Sequence, residues 1–380
     1  MAFSSNQVWF RLHWLAGISA GVVLAVVGFT GAMIGCEEPL LRALNPEYRI
    51  TPAPNTRPLP PSALVGIAAS AHPDLSVRAF LWHGDDTPVA VRLARAGALR
   101  GGTRVAVDPY SGKLMRPERG RDFLEFSEQL HRRLAAGDIG RRIVGISTAL
   151  LILMSITGLI LRWPRRPHRL RFWLIPDFSM RGRGLLRNLH SVAGTWVLVL
   201  FLLASLTGLW WSWDFYRDAL NHWAGISGPL RRPPLSAGNS DKPLVSPDIA
   251  WTAFRTAVPN ATEATLTLTH AKHEPVQVRY LTTASPHERA FDTMRISAAT
   301  GQLISREAYA DQPRGRRFIA SLFPLHSGSF FGAPGRWLMA FASLLMPLFA
   351  LSGIWLWFWR RRNAARSKRA LPNAVLEATH

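Results

Sequence analysis

The sequence predicts an α-helical membrane protein with four transmembrane helices that arose by an internal duplication, and with two small α+β domains between them. Three observations support this fold class. Four long segments carry no charged side chain. Histidines at the ends of these segments recur in the same register in the two halves of the chain. The two long polar segments between the spans repeat one pattern of strands and glycine-containing turns.

The uncharged runs are the basis of the membrane assignment, and they cover Trp14–Gly35, Ile143–Leu161, Ser191–Trp213 and Trp337–Trp359. Each is about long enough to cross a ~30 Å hydrocarbon core as a helix. A helix is required there because lipid offers no partner for backbone polar groups. Four such runs would be unusual in a soluble protein. Pro347 lies inside the fourth run, where we expect it to kink the helix rather than to end it.

Basic residues set the expected orientation. Arginines crowd the short loop between the second and third spans and recur, with lysine, after the fourth span. Short loops rich in Arg and Lys stay in the cytoplasm, so both chain ends are expected inside and both long segments outside. The predicted boundaries are 8–35, 140–163, 185–213 and 336–359 for the spans, 36–139 and 214–335 for the outer domains, 122–135 for an amphipathic helix, 164–184 for the basic loop and 360–380 for the basic tail.

The net charge of +21 needs this membrane context. In a soluble chain it would suggest a nucleic-acid partner, but no zinc-finger, RNA-recognition or helix-turn-helix pattern occurs, so no nucleic acid is predicted. Much of the charge marks topology and faces anionic membrane lipid. The arginines of the outer segments have two possible explanations. They bind an anionic substrate or partner, or they reflect a genome that favours arginine codons.

The single cysteine, Cys36, excludes an intrachain disulfide and an iron–sulfur cluster. Residues 33–36 weakly resemble a lipoprotein processing site. Cleavage there would remove His13, and the first run is longer than the apolar core of a signal peptide. We therefore expect an uncleaved signal anchor.

The two outer segments each predict a small α+β domain. In both, a strand leads through a tight turn containing glycine to a second strand. An alternating strand lies upstream, and a short helix precedes the set. The predicted elements are Ser62–Ala71, Val89–Leu93, Val105–Asp108 and Ser111–Leu114 in the first segment, and Pro247–Val258, Val276–Tyr280, Met294–Ser297 and Thr300–Leu303 in the second.

Four histidines carry the functional prediction. His13 and His190 begin the two spans that run outward, and His131 and His326 precede the two spans that run inward. Imidazole is a good iron ligand, and protein axial ligands control haem chemistry. Two facing histidines at each membrane face therefore predict two haem irons held from both sides. The alternative for any one of them is a histidine hydrogen-bonded to a lipid headgroup or a carbonyl, but four in mirrored register favour ligation, since intramembrane ionisable residues are functional by default.

Residues near the four histidines are predicted to contact the haem groups. Gly17 and Gly194 lie one helical turn from His13 and His190, where a missing side chain lets either a macrocycle or a second helix approach. Arg141 and Arg336 could donate hydrogen bonds to the propionates of the outer haem. Alternatively, they extend their charged groups toward the membrane interface, as arginines at span ends commonly do. The stretches before His131 and His326 have helical apolar spacing, which indicates amphipathic helices and an outer haem at the membrane boundary.

Two other histidine sites rank lower. His222, just beyond the third span, is the substitute ligand if one outer histidine is misassigned. His270 and His273 have a metal-compatible spacing in a stretch that is typical of an exposed strand or turn, so we expect no metal there.

The histidines follow leucine, and Thr-Gly or Ser-Gly pairs lie near the span ends. With the repeated helix–domain–helix layout, these motifs make nearly the whole chain resemble the PepSY-associated transmembrane family, with two PepSY-like periplasmic domains. Length and layout are most similar to the FoxB-type inner-membrane ferrisiderophore reductases. This resemblance implies two b-type haems, a bacterial inner-membrane location and reduction of a ferric siderophore in the periplasm.

Missing motifs define the expected mechanism. No dinucleotide fingerprint and no P-loop occur, and the cytoplasmic segments are too short for a flavin or nicotinamide domain. Electrons are therefore expected from a separate cytoplasmic reductase or from quinol. Reduction of Fe(III) to Fe(II) would weaken a hard-oxygen chelate and release iron. The alternatives are a PepSY-type binding or regulatory module without redox activity, and a siderophore permease.

Overall fold

The structure is a computed structural model that describes residues 5–95, 102–163, 168–226, 246–268 and 274–377, with side chains as far as residue 363. The chain divides into two compact units. The helical unit comprises Met1–Glu37, Phe123–Ala219 and Leu325–His380, and the sheet unit comprises Glu38–Asp122 and Leu220–Pro324.

The helices of the described residues are α1 (Ser5–Gly35), α2 (Glu37–Leu44), α3 (Pro61–Ala71), α4 (Arg121–Arg133), α5 (Gly137–Arg162), α6 (Leu170–Leu174), α7 (Gly182–Ser212), α8 (Asp214–Trp223), α9 (Asp248–Ala257), α10 (Arg314–Ser327) and α11 (Gly332–Glu377). Short 3-10 turns cover Pro46–Tyr48, Tyr309–Asp311 and Ser329–Phe331.

Four helical segments are long and apolar enough to cross a membrane, as in a multi-pass membrane protein: Ser5–Gly35, Gly137–Arg162, Gly182–Ser212 and Ser329–Asn363. They match the four predicted spans. In the helical unit, α1 packs against α5 and α11, and α7 packs against the same two helices. Helix α11 continues through Pro347 as far as Glu377, so the basic tail extends the fourth span as helix.

The apolar interior of this bundle lies at mid-span. Ala20 and Leu24 of α1, Val197 and Phe201 of α7, and Met346 of α11 are buried together there. Met154, Leu200 and Phe349 pack against this cluster. The interior between the two ends of the bundle is therefore filled by apolar side chains.

A tight turn over residues 134–136 joins α4 to α5. Leu134, Ala135 and Gly137 have positive φ angles of 49°, 53° and 58°. A Cβ at Gly140 would overlap the carbonyl oxygen of Arg133, so only glycine allows the chain to turn this closely. The predicted amphipathic helix 122–135 is α4, which ends two residues earlier.

The sheet unit contains one seven-stranded antiparallel sheet in the order β3-β2-β1-β4-β5-β6-β7. Its strands are β1 (Ser76–Trp82), β2 (Val89–Ala94), β3 (Thr103–Val107), β4 (Ala261–Thr267), β5 (Val276–Thr282), β6 (Asp292–Ile296) and β7 (Leu303–Glu307). A single core forms between the sheet and the helices α3 and α9, with Leu64, Phe80, Phe254 and Tyr280 fully buried.

The outer segments thus share one sheet, whereas the sequence predicted two separate small domains. The first contributes α3 and three strands, the second α9 and four strands, and they join where β1 pairs with β4. This pairing keeps both segments on one side of a membrane. That placement requires an even number of crossings between them, which α5 and α7 supply.

Most of the predicted elements of the sheet unit are present, with two differences. Strands β1 and β4 at the centre of the sheet were not predicted. After the first glycine turn, the expected strand Ser111–Leu114 is only an isolated bridge between Val107 and Leu114. The corresponding strand in the second segment is present as β7.

The two glycine turns have closely similar geometry. Gly112 and Gly301 have φ angles of +72° and +73°, which glycine adopts without steric cost. A Cβ at Gly112 would lie 2.9 Å from Ile67 of α3, and one at Gly301 would lie 2.9 Å from Ile249 of α9. Each turn therefore packs tightly on the helix that precedes it in the sequence.

Candidate functional site

The first histidine pair lies where α1 and α7 begin. His13 and His190 face each other with ring centroids 6.5 Å apart and ring planes at 79°. Both rings are half-buried within the bundle. The two spans that the sequence predicted to run in the same direction therefore bring these side chains to one end.

The second pair lies near the opposite ends of the same two helices. His131, on the last turn of α4, and His326, on the last turn of α10, have ring centroids 6.2 Å apart and ring planes at 66°. The structure pairs His326 with His131 rather than with His222. Each histidine of this pair contacts α1 or α7 near the end of that helix.

The spacing within each pair is that of two imidazoles on one metal ion. Two metal–nitrogen bonds of about 2.0–2.1 Å each span about 4 Å, and the half-widths of the two rings account for the remainder of the observed centroid separations of 6.5 and 6.2 Å.

The Nδ1 atoms of the first pair are held by hydroxyl groups. His13 Nδ1 lies 2.9 Å from Thr157 Oγ1, and His190 Nδ1 lies 2.7 Å from Ser352 Oγ. Thr157 donates its own proton to the carbonyl of Leu153, and Ser352 donates to that of Phe349. Each hydroxyl oxygen is therefore the acceptor, and each Nδ1 carries the proton.

The Nδ1 atoms of the second pair are held by backbone carbonyls. His131 donates to Val27 O at 2.8 Å, and His326 donates to Ala204 O at 2.9 Å. Thr207 Oγ1 lies 3.1 Å from the same Nδ1 of His326. A carbonyl oxygen can only accept, so this pair has the same tautomer as the first.

All four histidines therefore present Nε2 as an unprotonated nitrogen. Within the part of the chain that the structure describes, no hydrogen bond reaches any of these Nε2 atoms. A bond from the other ring nitrogen to a carbonyl or hydroxyl is the arrangement that fixes the tautomer of a metal-ligating histidine. Burial also lowers the pKa of His131, and burial with the neighbouring His131 lowers the pKa of His326 to about 4, which keeps both rings neutral.

Three of the four histidine rings lie close against a glycine of a neighbouring helix. A Cβ at Gly31 would lie 2.9 Å from Cε1 of His131, one at Gly208 would lie 3.1 Å from Cε1 of His326, and one at Gly158 would lie 3.2 Å from Cε1 of His13. These contacts are tighter than ordinary van der Waals separations. By contrast, a Cβ at Gly17 or Gly194 would meet its nearest neighbour at 3.5 or 3.8 Å, so the predicted role of these two glycines in haem packing stays a prediction.

The two arginines assigned to propionates have protein contacts of their own. Arg141 binds Asp214 at 3.2 Å and lies 3.5 Å from Asp138. The hydrogen bond from Arg141 lowers the pKa of Asp214. Arg336 also makes an interaction within the protein. Their proposed contact with haem stays a prediction.

Aromatic side chains adjoin one histidine of each pair. Phe349 lies edge-on to His190 at 5.1 Å, and its ring is 5.8 Å from that of Phe201 in the apolar interior. Trp211 lies 5.6 Å from His326. Trp211 is the next-to-last residue of α7, the third span.

The pairs are separated by most of the length of the bundle. Gly31, which lies against the second pair, is eighteen positions after His13, and Gly208 is eighteen positions after His190. At ~1.5 Å per residue this is about 27 Å. The two pairs therefore lie about one hydrocarbon thickness apart.

The family assignment agrees with this layout. Residues 10–361 match the family described as the PepSY-associated TM region. The chain belongs to this family. An uncharacterized protein of Pseudomonas aeruginosa is similar to it, with 25% identity over 263 residues. The match covers 63% of this chain and 64% of the relative, so the chain spans less than two thirds of the relative's length.

Sequence reasoning noted the Thr-Gly and Ser-Gly pairs of this PepSY-associated chain but did not give them a function. The structure shows that Thr157 and Ser352 hold the first pair, and that Thr207 lies against His326. Their sequence position could have predicted this contact. Each Thr-Gly or Ser-Gly pair lies near the end of one span, at the same depth as a histidine at the start of a neighbouring span.

No group of three or more His, Cys, Asp or Glu side chains that could hold a metal ion occurs among the described residues. Each of the two histidine pairs offers two ligands only. His270 and His273 lie outside the described residues.

Proposed function

We propose that this protein is a di-haem transmembrane electron carrier that reduces a ferric siderophore, or another ferric chelate, on the outer face of the bacterial inner membrane. The observation that carries this proposal is the repeated geometry of the histidine pairs. Each pair has the centroid spacing of a doubly ligated metal, and each ring has a fixed Nδ1 proton and an available Nε2.

The donor set fits b-type haem better than zinc or a hard cation. Two imidazoles supply only two ligands, which suffices for an ion that already has four nitrogen ligands from a macrocycle. The tight seats at Gly31, Gly158 and Gly208 orient the rings without adding a side chain beside them. Haem held by His13 and His190, and by His131 and His326, would supply one-electron redox chemistry at each pair.

The residues of the chain would orient and insulate these centres. His13 and His190 would hold the inner haem, and His131 and His326 the outer haem. Thr157, Ser352 and two backbone carbonyls would fix the rings. Gly17, Gly194, Arg141 and Arg336 remain candidate neighbours of the macrocycles.

The orientation and the electron donor belong to the same proposal. The arginine-rich loop and tail would face the cytoplasm, where a separate reductase or quinol would deliver electrons to the inner pair. The paired histidine register and the two glycine turns support an internal duplication and two PepSY-like halves. The sheet unit would then lie in the periplasm with the ferric substrate.

A permease is less well supported than an electron carrier. The bundle interior between the two pairs is packed with Ala, Leu, Val, Phe and Met, whereas a solute pathway needs a polar or water-filled route. A regulatory module without redox activity would not need four histidines of one tautomer in two facing pairs.

Haem content and its response to single substitutions test the ligand assignment. Purified protein should show a Soret band and two haems per chain. His190→Ala should lose one haem and retain the other, and His326→Ala should also lose one. The spectrum and potential of the haem retained should differ between these two variants, since each removes a different centre.

His168→Ala is the matched control, because this exposed histidine lies in the loop before α6. It should retain both haems. A colourless but folded wild-type protein would instead support the regulatory module.

A second experiment tests the reaction. Protein reduced with dithionite and then desalted should be reoxidised by a ferric hydroxamate chelate, and an Fe(II) trap should record stoichiometric ferrous iron. In intact cells, His190→Ala should stop iron release, because about 27 Å separates the two pairs. Normal iron release by this variant in cells would contradict the transmembrane relay.

A further inference from the structure

The sheet unit contains a small cavity that none of the assignments above uses. It has a volume of about 190 Å³ and opens between α3, the end of β1 and α9. Its walls include Trp82, Tyr110, Trp251 and three prolines, Pro58, Pro61 and Pro109. Both outer segments of the chain contribute, because Trp251 and Arg255 come from α9 and the other wall residues come from the first segment.

The aromatic walls have a fixed shape. The rings of Trp82 and Trp251 are 5.7 Å apart at 69°, and Phe80 lies 5.5 Å from Trp251 at 71°. Phe80 and Trp82 are almost fully buried. These edge-to-face contacts are favourable arrangements of aromatic rings, so the cavity is preformed rather than a gap between mobile side chains.

One arginine provides the polar end of the cavity. The Arg255 guanidinium stacks on the Trp82 ring, with Cζ 4.3 Å from the ring centroid. Its Nη2 donates to Asp85 Oδ2 at 3.1 Å, while Trp82 Nε1 donates to Asp85 Oδ1 at 3.0 Å. Asp85 thus holds both side chains in place and uses both of its oxygens.

The remaining guanidinium donors are available to a ligand. Of the N–H groups of Arg255, only Nη2 hydrogen-bonds to another described residue. A guanidinium has five N–H donors in a planar fork that matches a carboxylate. A ligand in this cavity would therefore meet unpaired donors at one end and flat apolar walls at the other.

We propose that this cavity is a binding site for a monocyclic aromatic acid, such as a hydroxybenzoate, either free or as the aryl arm of a larger molecule. The carboxylate or ring hydroxyl accepts hydrogen bonds from Arg255. The ring packs against Trp251, Tyr110 and the proline faces.

The size of the cavity supports a single ring. A cavity of about 150 Å³ accommodates benzene, so the volume of about 190 Å³ leaves room for one polar substituent. A two-ring ligand or a folded peptide segment would not fit. The small, mostly apolar wall with one charged group is the usual composition of a small-molecule site. This inference does not rest on the proposed haem function.

Binding of salicylate to the full-length protein in detergent tests the site, measured by isothermal titration calorimetry and by saturation-transfer NMR of the ligand. Salicylate should bind with 1:1 stoichiometry. Phenol, whose neutral hydroxyl accepts a weaker hydrogen bond from Arg255 than a carboxylate does, and cyclohexanecarboxylate, which lacks the aromatic ring, should each bind at least about tenfold more weakly.

Arg255→Gln is the decisive variant, and it should weaken salicylate binding at least about tenfold, since it removes a bidentate charged donor. The salicylate affinity of Arg255→Lys should lie between those of the wild type and Arg255→Gln, because lysine keeps the charge but lacks the planar set of donors. Arg279→Gln is the matched control: Arg279 also stacks on an aromatic ring of the sheet unit, Phe291 at 4.4 Å, but does not line the cavity. It should bind like the wild type.

Competition distinguishes the two sources of the ring. Displacement of salicylate by a ferric catecholate, but not by a ferric hydroxamate, would support the aryl arm of a chelate as ligand. Retained salicylate binding in the presence of either chelate would support the free acid. Failure of the wild type to bind salicylate at millimolar concentration would overturn the proposal, as would equal binding by Arg255→Gln with unchanged thermal unfolding.

Discussion

Ser352 accepts the Nδ1 proton of His190 at 2.7 Å while it donates its own proton to the carbonyl of Phe349. The hydroxyl is thus a one-directional acceptor that fixes the tautomer of the histidine. Thr157 does the same for His13 at 2.9 Å. The two residues belong to Ser-Gly and Thr-Gly pairs that are otherwise unremarkable in an apolar span.

Replacement of Ser352 by alanine should weaken haem retention at the first pair. Loss of such a supporting hydrogen bond typically costs about 10–100-fold in metal affinity. Haem dissociation to apomyoglobin measures this loss, and the potential of the retained haem should also shift. Ser352→Thr should restore retention, since it keeps the hydroxyl.

Thr148→Val is the control for this experiment, because the Thr148 hydroxyl donates to the carbonyl of Val144 in its own helix and to no other described residue. Equal loss of haem in the Ser352→Ala and Thr148→Val variants would mean that the effect comes from general weakening of the bundle.

Gly31→Ala should disturb the second pair. The added Cβ would lie 2.9 Å from Cε1 of His131, a contact that forces the imidazole to move. We expect a changed Soret band and loss of up to one haem per chain, measured by the pyridine haemochromogen assay.

Gly353→Ala is a control at a comparable position near the end of a span, because its added Cβ would meet no other described part of the protein within 4 Å beyond its own turn of helix. It should be spectrally silent. A Gly31→Ala protein with the wild-type spectrum would show that the His131 ring tolerates the methyl group. The close approach of Gly31 to this ring would then not be needed for haem binding.

The distribution of basic residues predicts the orientation of the chain. A reporter fused after Lys368 should be active in the cytoplasm, and one inserted near Asp241 should be active in the periplasm, because short arginine-rich segments are retained inside. Paired alkaline phosphatase and fluorescent-protein fusions measure this. A periplasmic signal after Lys368 would reverse the inner and outer assignments of the two pairs.

His287 predicts a pH dependence of stability that is independent of haem. In the sheet unit its Nδ1 accepts from the Arg289 N–H at 3.2 Å, so its Nε2 carries the proton toward Tyr309 and Ser321 at 3.1 and 3.2 Å. Burial lowers the pKa of His287.

Because its folded-state pKa lies below the unfolded value of about 6.5, the unfolded chain binds the proton first as the pH falls. The stability that depends on the neutral ring is therefore present above about pH 6.5 and is lost below it. Thermal unfolding of His287→Gln should show a smaller drop between about pH 7.5 and 5.5 than wild type or His72→Gln. Equal slopes for all three proteins would exclude His287 as the titrating group.

The sequence was sufficient to predict the spans and the pairing of histidines, because both depend on local patterns. Uncharged runs define the helices, and equal spacing around His13 and His190 indicates equal depth in parallel spans. The partners of the Nδ1 atoms could not be predicted in the same way. Val27 and Ala204 contribute only backbone oxygens, which no side-chain pattern reveals.

Strand β1 at the centre of the sheet was missed for a different physical reason. Six of the seven residues of β1, from Val77 to Trp82, are buried. Burial on both faces removes the alternation of polar and apolar residues by which an exposed strand is recognised. The joining of the two outer segments through β1 and β4 depends on this pair of strands, so the single sheet could not be predicted without them.

The pairing of β1 with β4 also has a consequence for how the protein is made. These neighbouring strands are about 180 residues apart in the sequence, with two membrane spans synthesised between them. At a ribosomal rate of ~5–20 residues per second, β1 waits on the order of ten to forty seconds for its partner. During this time the nascent half-sheet, although α3 packs on one of its faces, has an open hydrogen-bonding edge along β1, which is a hazard for aggregation. A chain truncated after α5 would lack β4 and would keep that edge of β1 unpaired.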